Sequence, residues 1–280
     1  MQTEKPVSVR PLHVGKTGAL LATYEDGRKA IVKLSKPALP NGKAMQRGIP
    51  TMSHPHREVA FYQLAKLLGF EELVPETVLT EKVHDGVVAS AQQFVPAVHL
   101  RTLQPKLYET SRGDWYTLLK DMALHVPKKY WRRLVVLDII AGVRDRHANN
   151  VGVLLFLAGR KPMYRLVAWD NAVSFGMTFD KYHNVFHKLL FRTSINLKDI
   201  WPVLDGLSHA AFTQALGGFL AADEIADAFL RMQFIREFPY RLPWRVMSGN
   251  HDGVNDFPAY LDFFQPFVEP PMSLIVGTRA

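Results

Sequence analysis

Val143-Arg-Asp-Arg-His-Ala-Asn-Asn-Val-Gly152, followed by Val167-Ala-Trp-Asp-Asn-Ala-Val-Ser-Phe-Gly176, is the stretch from which the rest of the chain is read. An apolar run with helical spacing over 131–140 stops at Gly142, a natural helix terminator. A polar loop follows, and an apolar strand begins at Val151. Asp145 and Asn150 stand five residues apart in that loop, anchored by buried elements on both sides. Strands predicted over 151–157 and 164–169 turn around 158–162 as a hairpin. That hairpin returns the chain to Asp170, so a third oxygen group is expected beside the first two.

Three such groups in one cleft suit phosphoryl transfer. Magnesium is a hard cation that takes a carboxylate and a carbonyl oxygen and keeps its other positions for water and phosphate. An acceptor hydroxyl needs an aligned carboxylate, because positioning and charge stabilisation supply most of the catalysis. Asp145 is the expected acceptor-orienting group, with Asn150 and Asp170 as metal ligands. His147 is either a second proton-handling group or a structural donor within the loop. Asn171 reads as a turn former. The remaining requirement is a lysine on a strand paired with a glutamate on a helix to grip phosphates. Lys33, in Ala30-Ile-Val-Lys33, and Glu58, in the first turn of a predicted helix, meet it.

Outward from these residues the chain divides in two. Runs over 18–24 and 29–34 flank Asp26-Gly27, a strong hairpin signal. The segment carrying Pro37, Pro40, Asn41-Gly42, Gly48 and Pro50 is too rich in breakers for regular structure. A helix is predicted to begin near Ser53 as N-cap, to tolerate Pro55 in its first turn, and to stop at Gly69. Val59, Tyr62, Leu64, Leu67 and Leu68 supply its period. Strands are predicted over 74–79 and 87–95. Beyond Pro96 helices dominate, including 210–221 and 223–234. The expected fold class is α+β and bilobal: residues 1–95 form a β-rich lobe with one helix, and residues 96–280 a mainly helical lobe with the loop and metal residues. The boundary falls near Phe94 to Pro96, and a cleft between halves is where ligands bind.

The motifs carry a family resemblance. Ala30-Ile-Val-Lys33 resembles the protein-kinase strand ending in lysine. Asp145-Arg-His-Ala-Asn-Asn150 resembles the Asp-Arg-His-x-x-Asn catalytic loop of phosphatidylinositol 3- and 4-kinases and their bacterial relatives. Asp170-Asn-Ala-Val-Ser-Phe-Gly176 is similar to the metal-binding segment of the atypical secretory-pathway kinases, and HipA-type kinases share the same logic. The resemblance covers roughly residues 14 to 176. It implies a kinase-like fold, ATP with magnesium (or manganese) as cofactors, and nucleotide contacts from Lys33, Glu58 and the lobe boundary at Gln93, Phe94 and Val95. The chain departs from the pattern in two ways. The order is Asp-Arg-His rather than His-Arg-Asp, and no Gly-x-Gly-x-x-Gly loop is present.

Composition fits this reading without demanding it. The 280 residues are 48% hydrophobic and 21% charged, as in an ordinary globular protein. With no cysteine, disulfides and Cys-based zinc sites are excluded. Neither a signal-peptide pattern nor a run of about 18 apolar residues is seen, so a cytoplasmic protein without a transmembrane segment is expected. The net charge of +8 favours phosphorylated partners in general, but the basic residues are scattered and nucleic acid is not expected. Gly15-Lys16-Thr17 lacks the upstream glycine of a P-loop. His183 and His187 lack the glutamate of a zinc protease, and Phe257, Phe263, Phe264 and Phe267 read as packing aromatics. The leading expectation is an atypical kinase acting on a protein, lipid or small-molecule hydroxyl. AMP transfer on the same fold and an ATP-binding pseudokinase are the alternatives.

Overall fold

The Asp26-Gly27 turn forms as its sequence predicts. Gly27 adopts φ +81°, its N–H donates to the Tyr24 carbonyl at 3.0 Å, and Tyr24 N–H donates to the Arg28 carbonyl at 2.9 Å. The turn joins β2 (Leu20–Thr23) to β3 (Lys29–Leu34), with Thr23 opposite Lys29. The computed structural model describes residues 4–12, 18–35, 45–46, 49–83, 86–100, 126–143, 146, 149–158, 161–176, 195–237 and 241–242.

β1 (Ser8–Pro11), β6 (Thr77–Thr80) and β7 (Ala89–Gln93) complete an antiparallel five-stranded sheet in the order β1-β2-β3-β7-β6. Ala22, Ala30, Val32, Ala89 and Ala91 are fully buried in it. Among the described residues, the breaker-rich segment contains a small regular feature, β4 (Met45–Gln46) paired with β5 (Ile49–Pro50). Two-residue strands need no longer apolar pattern, so composition could not announce them.

The crossover from β3 to β6 carries α1 (His54–Leu67). Only part of its burial follows the expected stripe. Val59, Leu64 and Leu68 are buried, whereas Tyr62 and Leu67 are half-buried, and His54, Arg57 and Glu58 are buried as well. The reason is that α1 packs on the sheet with one face and on helices of the other half with another. Because α1 starts at His54, Glu58 opens its second turn rather than sitting in the first.

α2 (Lys128–Ala141) buries Leu134 through Ala141 almost continuously and closes at Gly142 with φ +58°. β9 (Val151–Ala158) and β10 (Lys161–Ala168) form the predicted hairpin, and β8 (Val98–His99) adds to β9. α3 (Trp201–Asp205), α4 (His209–Leu216) and α5 (Ala222–Arg236) follow, with β11 (Ile195–Asn196) paired to β12 (Arg241–Leu242). The helix expected over 210–221 stops at Leu216 because Gly217 and Gly218 follow it, and glycine costs a helix about 1 kcal/mol each. One apolar core runs from α1 through α2, β9 and β10 to α4 and α5. Among the described residues no helix is long and apolar enough to cross a membrane.

Candidate active site

The site is assembled by hydrogen-bond register. β9 and β10 pair Val151 with Ala168, and Trp169 N–H then donates to the Asn150 carbonyl at 3.2 Å. Asn150 and the start of the 170–176 segment are therefore fixed side by side. Gly152 is required there: a Cβ on it would collide with the Trp169 ring and lie 2.8 Å from the Val98 carbonyl oxygen. Trp169 Nε1 donates to the Asn149 carbonyl at 2.7 Å, and His99 Nδ1 contacts the same oxygen at 2.9 Å.

Lys33 reaches into this junction from β3. Its ammonium binds Glu58 Oε1 on α1 and Asp170 Oδ1 at 2.7 Å. Burial alone would lower the lysine pKa, but the charges of Asp170 and Glu58, with their hydrogen bonds, outweigh it and hold Lys33 above its ordinary value. Glu58 uses its second oxygen to accept the Asn171 N–H at 3.0 Å. Lysine, glutamate and aspartate thus come from three elements to one point, and the expected strand-to-helix pair forms.

Asp170 and Phe175 both adopt left-handed backbone, at φ 56° and 58°. Such conformations in non-glycine residues cost about 1–3 kcal/mol and persist where surroundings over-determine them. Here Asp170 is held by Lys33, and Phe175 is fully buried with its N–H donating to the Ala141 carbonyl at 2.6 Å. The bent segment presents the Asp170 side chain, 40% exposed, while Asn150 stays 3% exposed beneath.

Two arginines that the sequence reading left unremarked organise the surroundings. Arg146 is fully buried between the expected Asp145 and His147. Its guanidinium donates to Asp138 Oδ1 at 2.7 Å and Oδ2 at 3.0 Å, to Asn171 Oδ1 at 2.8 Å, and to the Asn150 and Trp169 carbonyls at 3.1 Å each. Asn171 is thus more than a turn former, since it joins Arg146 to Glu58. A sequence signal existed: Asp138 is a lone carboxylate inside the apolar face of α2, and a buried charge requires a partner. Arg57 on α1 binds the Ser174 carbonyl and Glu224 of α5. No local pattern points to that contact. Ser53 occupies the N-cap position of α1 without capping it, because its Oγ donates to the Pro50 carbonyl at 2.7 Å and accepts from Arg57 Nε at 3.0 Å.

Of the predicted site residues, Lys33, Glu58 and Asp170 meet directly, and Asn150 lies alongside through Trp169. Gln93 ends β7 and Phe94 follows it, both with exposed side chains, and their amides serve the fold, donating to the Glu76 and Lys29 carbonyls at 2.8 and 2.9 Å. The Val95 carbonyl accepts from Ala97 N–H at 2.8 Å. Asp145 and His147 lie outside the described residues, as do Gly15-Lys16-Thr17, His183, His187 and the phenylalanines beyond 256.

No protein-family model matches the chain, and no curated protein matches it. Its likeness to known proteins lies in three dimensions. The chain is similar to the Golgi casein kinase crystallised with Mn/ADP bound, with a TM-score of 0.55 at 15% identity, covering 84% of this chain and 73% of that one. It is also similar to the hydra Fam20 structure with sugar, with a TM-score of 0.56 at 11% identity, covering 85% of each chain. At such identities the likeness concerns the fold, which is α+β, bilobal and kinase-like.

Proposed function

We propose that the chain is an ATP-dependent phosphotransferase of the atypical kinase kind, moving the γ-phosphoryl group to a hydroxyl of a protein, lipid or small-molecule acceptor. One observation carries this reading. A strand lysine, a helix glutamate and the aspartate after a hairpin, at positions 33, 58 and 170, converge on a single ammonium group. A structural ion pair needs two partners; a second carboxylate on the same ammonium, from a bent and partly exposed segment, is arranged for a ligand. The division of roles follows residues 1–95 and 96–280.

Lys33, positioned by Glu58, would bind the nucleotide phosphates as a fixed cation. The lobe-boundary residues Gln93, Phe94 and Val95 would flank the base. The donor set suits magnesium or manganese, because Asp170 and Asn150 offer hard oxygens and few protein ligands are needed. Such a cation would neutralise charge on the transferred phosphoryl group. Lys33 pairing with Asp170 fixes the position of that carboxylate. Asp145 would orient or deprotonate the acceptor hydroxyl, with His147 as a second proton-handling group in the same loop. The Golgi casein kinase that shares the fold was crystallised with Mn/ADP, which supports the choice of nucleotide and divalent cation.

The test is turnover of γ-labelled and α-labelled ATP in parallel with magnesium, for wild type and Asp170→Ala. Gamma label transferred by wild type and lost in the variant is the expected result. Transfer of α label would mean AMP transfer instead, and ATP binding without turnover would mean a pseudokinase.

A further inference from the structure

The first turn of α1 has the wrong charge for its place. A helix N-terminus carries about half a positive charge and ordinarily attracts Asp or Glu. α1 opens His54-Pro-His-Arg57, with no acidic residue in that turn and no side-chain cap. Arg57 is neutralised by Glu224. His54 is not so provided for. Its side chain is 7% exposed, and its buried Nε2 has no hydrogen-bond partner among the described residues. A buried polar nitrogen left without a partner has given up its hydrogen bonds to water and gained none in return.

The position of His54 indicates what would satisfy it. It precedes Glu58 by one helical turn and so shares the face that meets Lys33. Lys33, Asp170 and Arg57 all lie close enough for their charges to act on its ring. Burial, reinforced by Lys33, holds His54 down to about 4, so the ring is neutral and carries one N–H donor. Lys33 and Arg57 are already paired with carboxylates, and Asp170 also faces the ring, so what His54 offers is an unused neutral N–H beside the helix N-terminus, able to donate to a phosphate oxygen.

We propose that His54 Nε2 and the N-terminal end of α1 form a subsite for a phosphate group, filled by the terminal phosphate of the bound nucleotide. The inference rests on the nucleotide reading above. His54 would take over a contact that a glycine-rich loop makes elsewhere, a loop this chain does not contain. The bond is a neutral N–H donating to a phosphate oxygen, and no proton is transferred.

Titration calorimetry of Mg-ATP, Mg-ADP and inorganic phosphate into the whole chain tests it, using wild type, His54→Leu and His54→Gln. His54→Leu is expected to weaken ATP about tenfold while leaving ADP within about twofold. His54→Gln, which keeps a donor of similar reach, should retain most of the ATP preference. Because the ATP-to-ADP ratio is independent of the folded fraction, partial unfolding does not mimic this result. Equal loss for both nucleotides, or no loss, overturns the subsite while leaving the kinase reading standing. Wild type that binds no nucleotide overturns both the kinase reading and the nucleotide as occupant. Phosphate binding that depends on His54 would then uphold a phosphate subsite filled from another source, such as a phosphorylated side chain, and its absence would overturn the subsite too.

Discussion

Arg146 and Asp138 form the most consequential pair of side chains in the described part of the molecule. Both are buried to within 1% exposure, and the guanidinium makes six hydrogen bonds across three segments. Removing one partner of a buried pair leaves an uncompensated charge and costs about 3–5 kcal/mol. Arg146→Met is therefore expected to lower stability by that amount in urea unfolding. Arg146→Lys should rescue little, since an ammonium cannot span carboxylate, amide and two carbonyls at once. Asp138→Leu combined with Arg146→Met should cost less than Arg146→Met alone; a double variant that is worse would refute the account. His54 gives a pH dependence of definite sign. Its folded pKa of about 4 lies below the ordinary histidine value, so between about pH 6.5 and 4 the unfolded chain binds a proton that the folded chain does not. Stability falls as pH falls through that window, with Lys33, Arg57 and Asp170 as the charged groups facing the ring. Unfolding at pH 7 and pH 5 should show a drop about 1–2 kcal/mol smaller in His54→Gln than in wild type.

At the scale of elements, the β9–β10 hairpin and the end of α2 set the site. The hairpin fixes Asn150 against Trp169 by ladder register, and a one-residue slip would reverse every side chain. Gly152→Ala is expected to break this junction, because its methyl group meets the Trp169 ring on one side and the Val98 backbone on the other. Trp169 fluorescence should shift and Mg-nucleotide binding should be lost in that variant, while β2 and β3 remain protected in hydrogen exchange. Unchanged binding would mean that the hairpin does not place the site. Gly142 has a milder role. Its φ of +58° disfavours a side chain, and an added Cβ would stand 3.2 Å from Cζ of Arg231, whose Nε donates to the Ile140 carbonyl at 2.8 Å. Gly142→Ala is expected to cost about 1–2 kcal/mol in thermal unfolding.

For the whole molecule, α1 is the element that both halves share. It packs on β3, β6 and β7 and also on α2 and α4. Arg57 strengthens that connection by binding the Ser174 carbonyl of the bent segment and Glu224 of α5. Glu224 also accepts the Ala221 N–H at 3.0 Å through its other oxygen, so the pair is anchored at the start of α5. Glu224→Gln removes the countercharge from a buried guanidinium. Hydrogen exchange should then accelerate in the first turns of α1 and in 170–176, with the β1–β2 pair unaffected. Acceleration spread evenly over the chain would instead indicate general destabilisation.

The hairpin at Asp26-Gly27, the helix ending at Gly69, the helix closed by Gly142 and the hairpin leading to Asp170 were all legible locally. Each depends on a glycine-permitted turn or on apolar periodicity, which neighbouring residues dictate. The candidacy of Lys33, Glu58, Asn150 and Asp170 was legible for the same reason, since residue type and element order suffice to nominate them. The Lys33–Glu58 pair and the place of Asp170 beside Asn150 were expected as well, but the direct contact between positions 33 and 170 was not, because it depends on how α1 is clamped between sheet and helices. Arg57, Arg146 and the unpartnered His54 were likewise hidden: burial of polar side chains is decided by distant segments, and no local pattern encodes which carboxylate a buried arginine will meet. The sequence by itself determined the main hairpins and helices that carry the site, and the chemistry available to them. Tertiary structure alone decided which charges are neutralised and which buried nitrogen is left without a partner, because those outcomes are set by long-range packing.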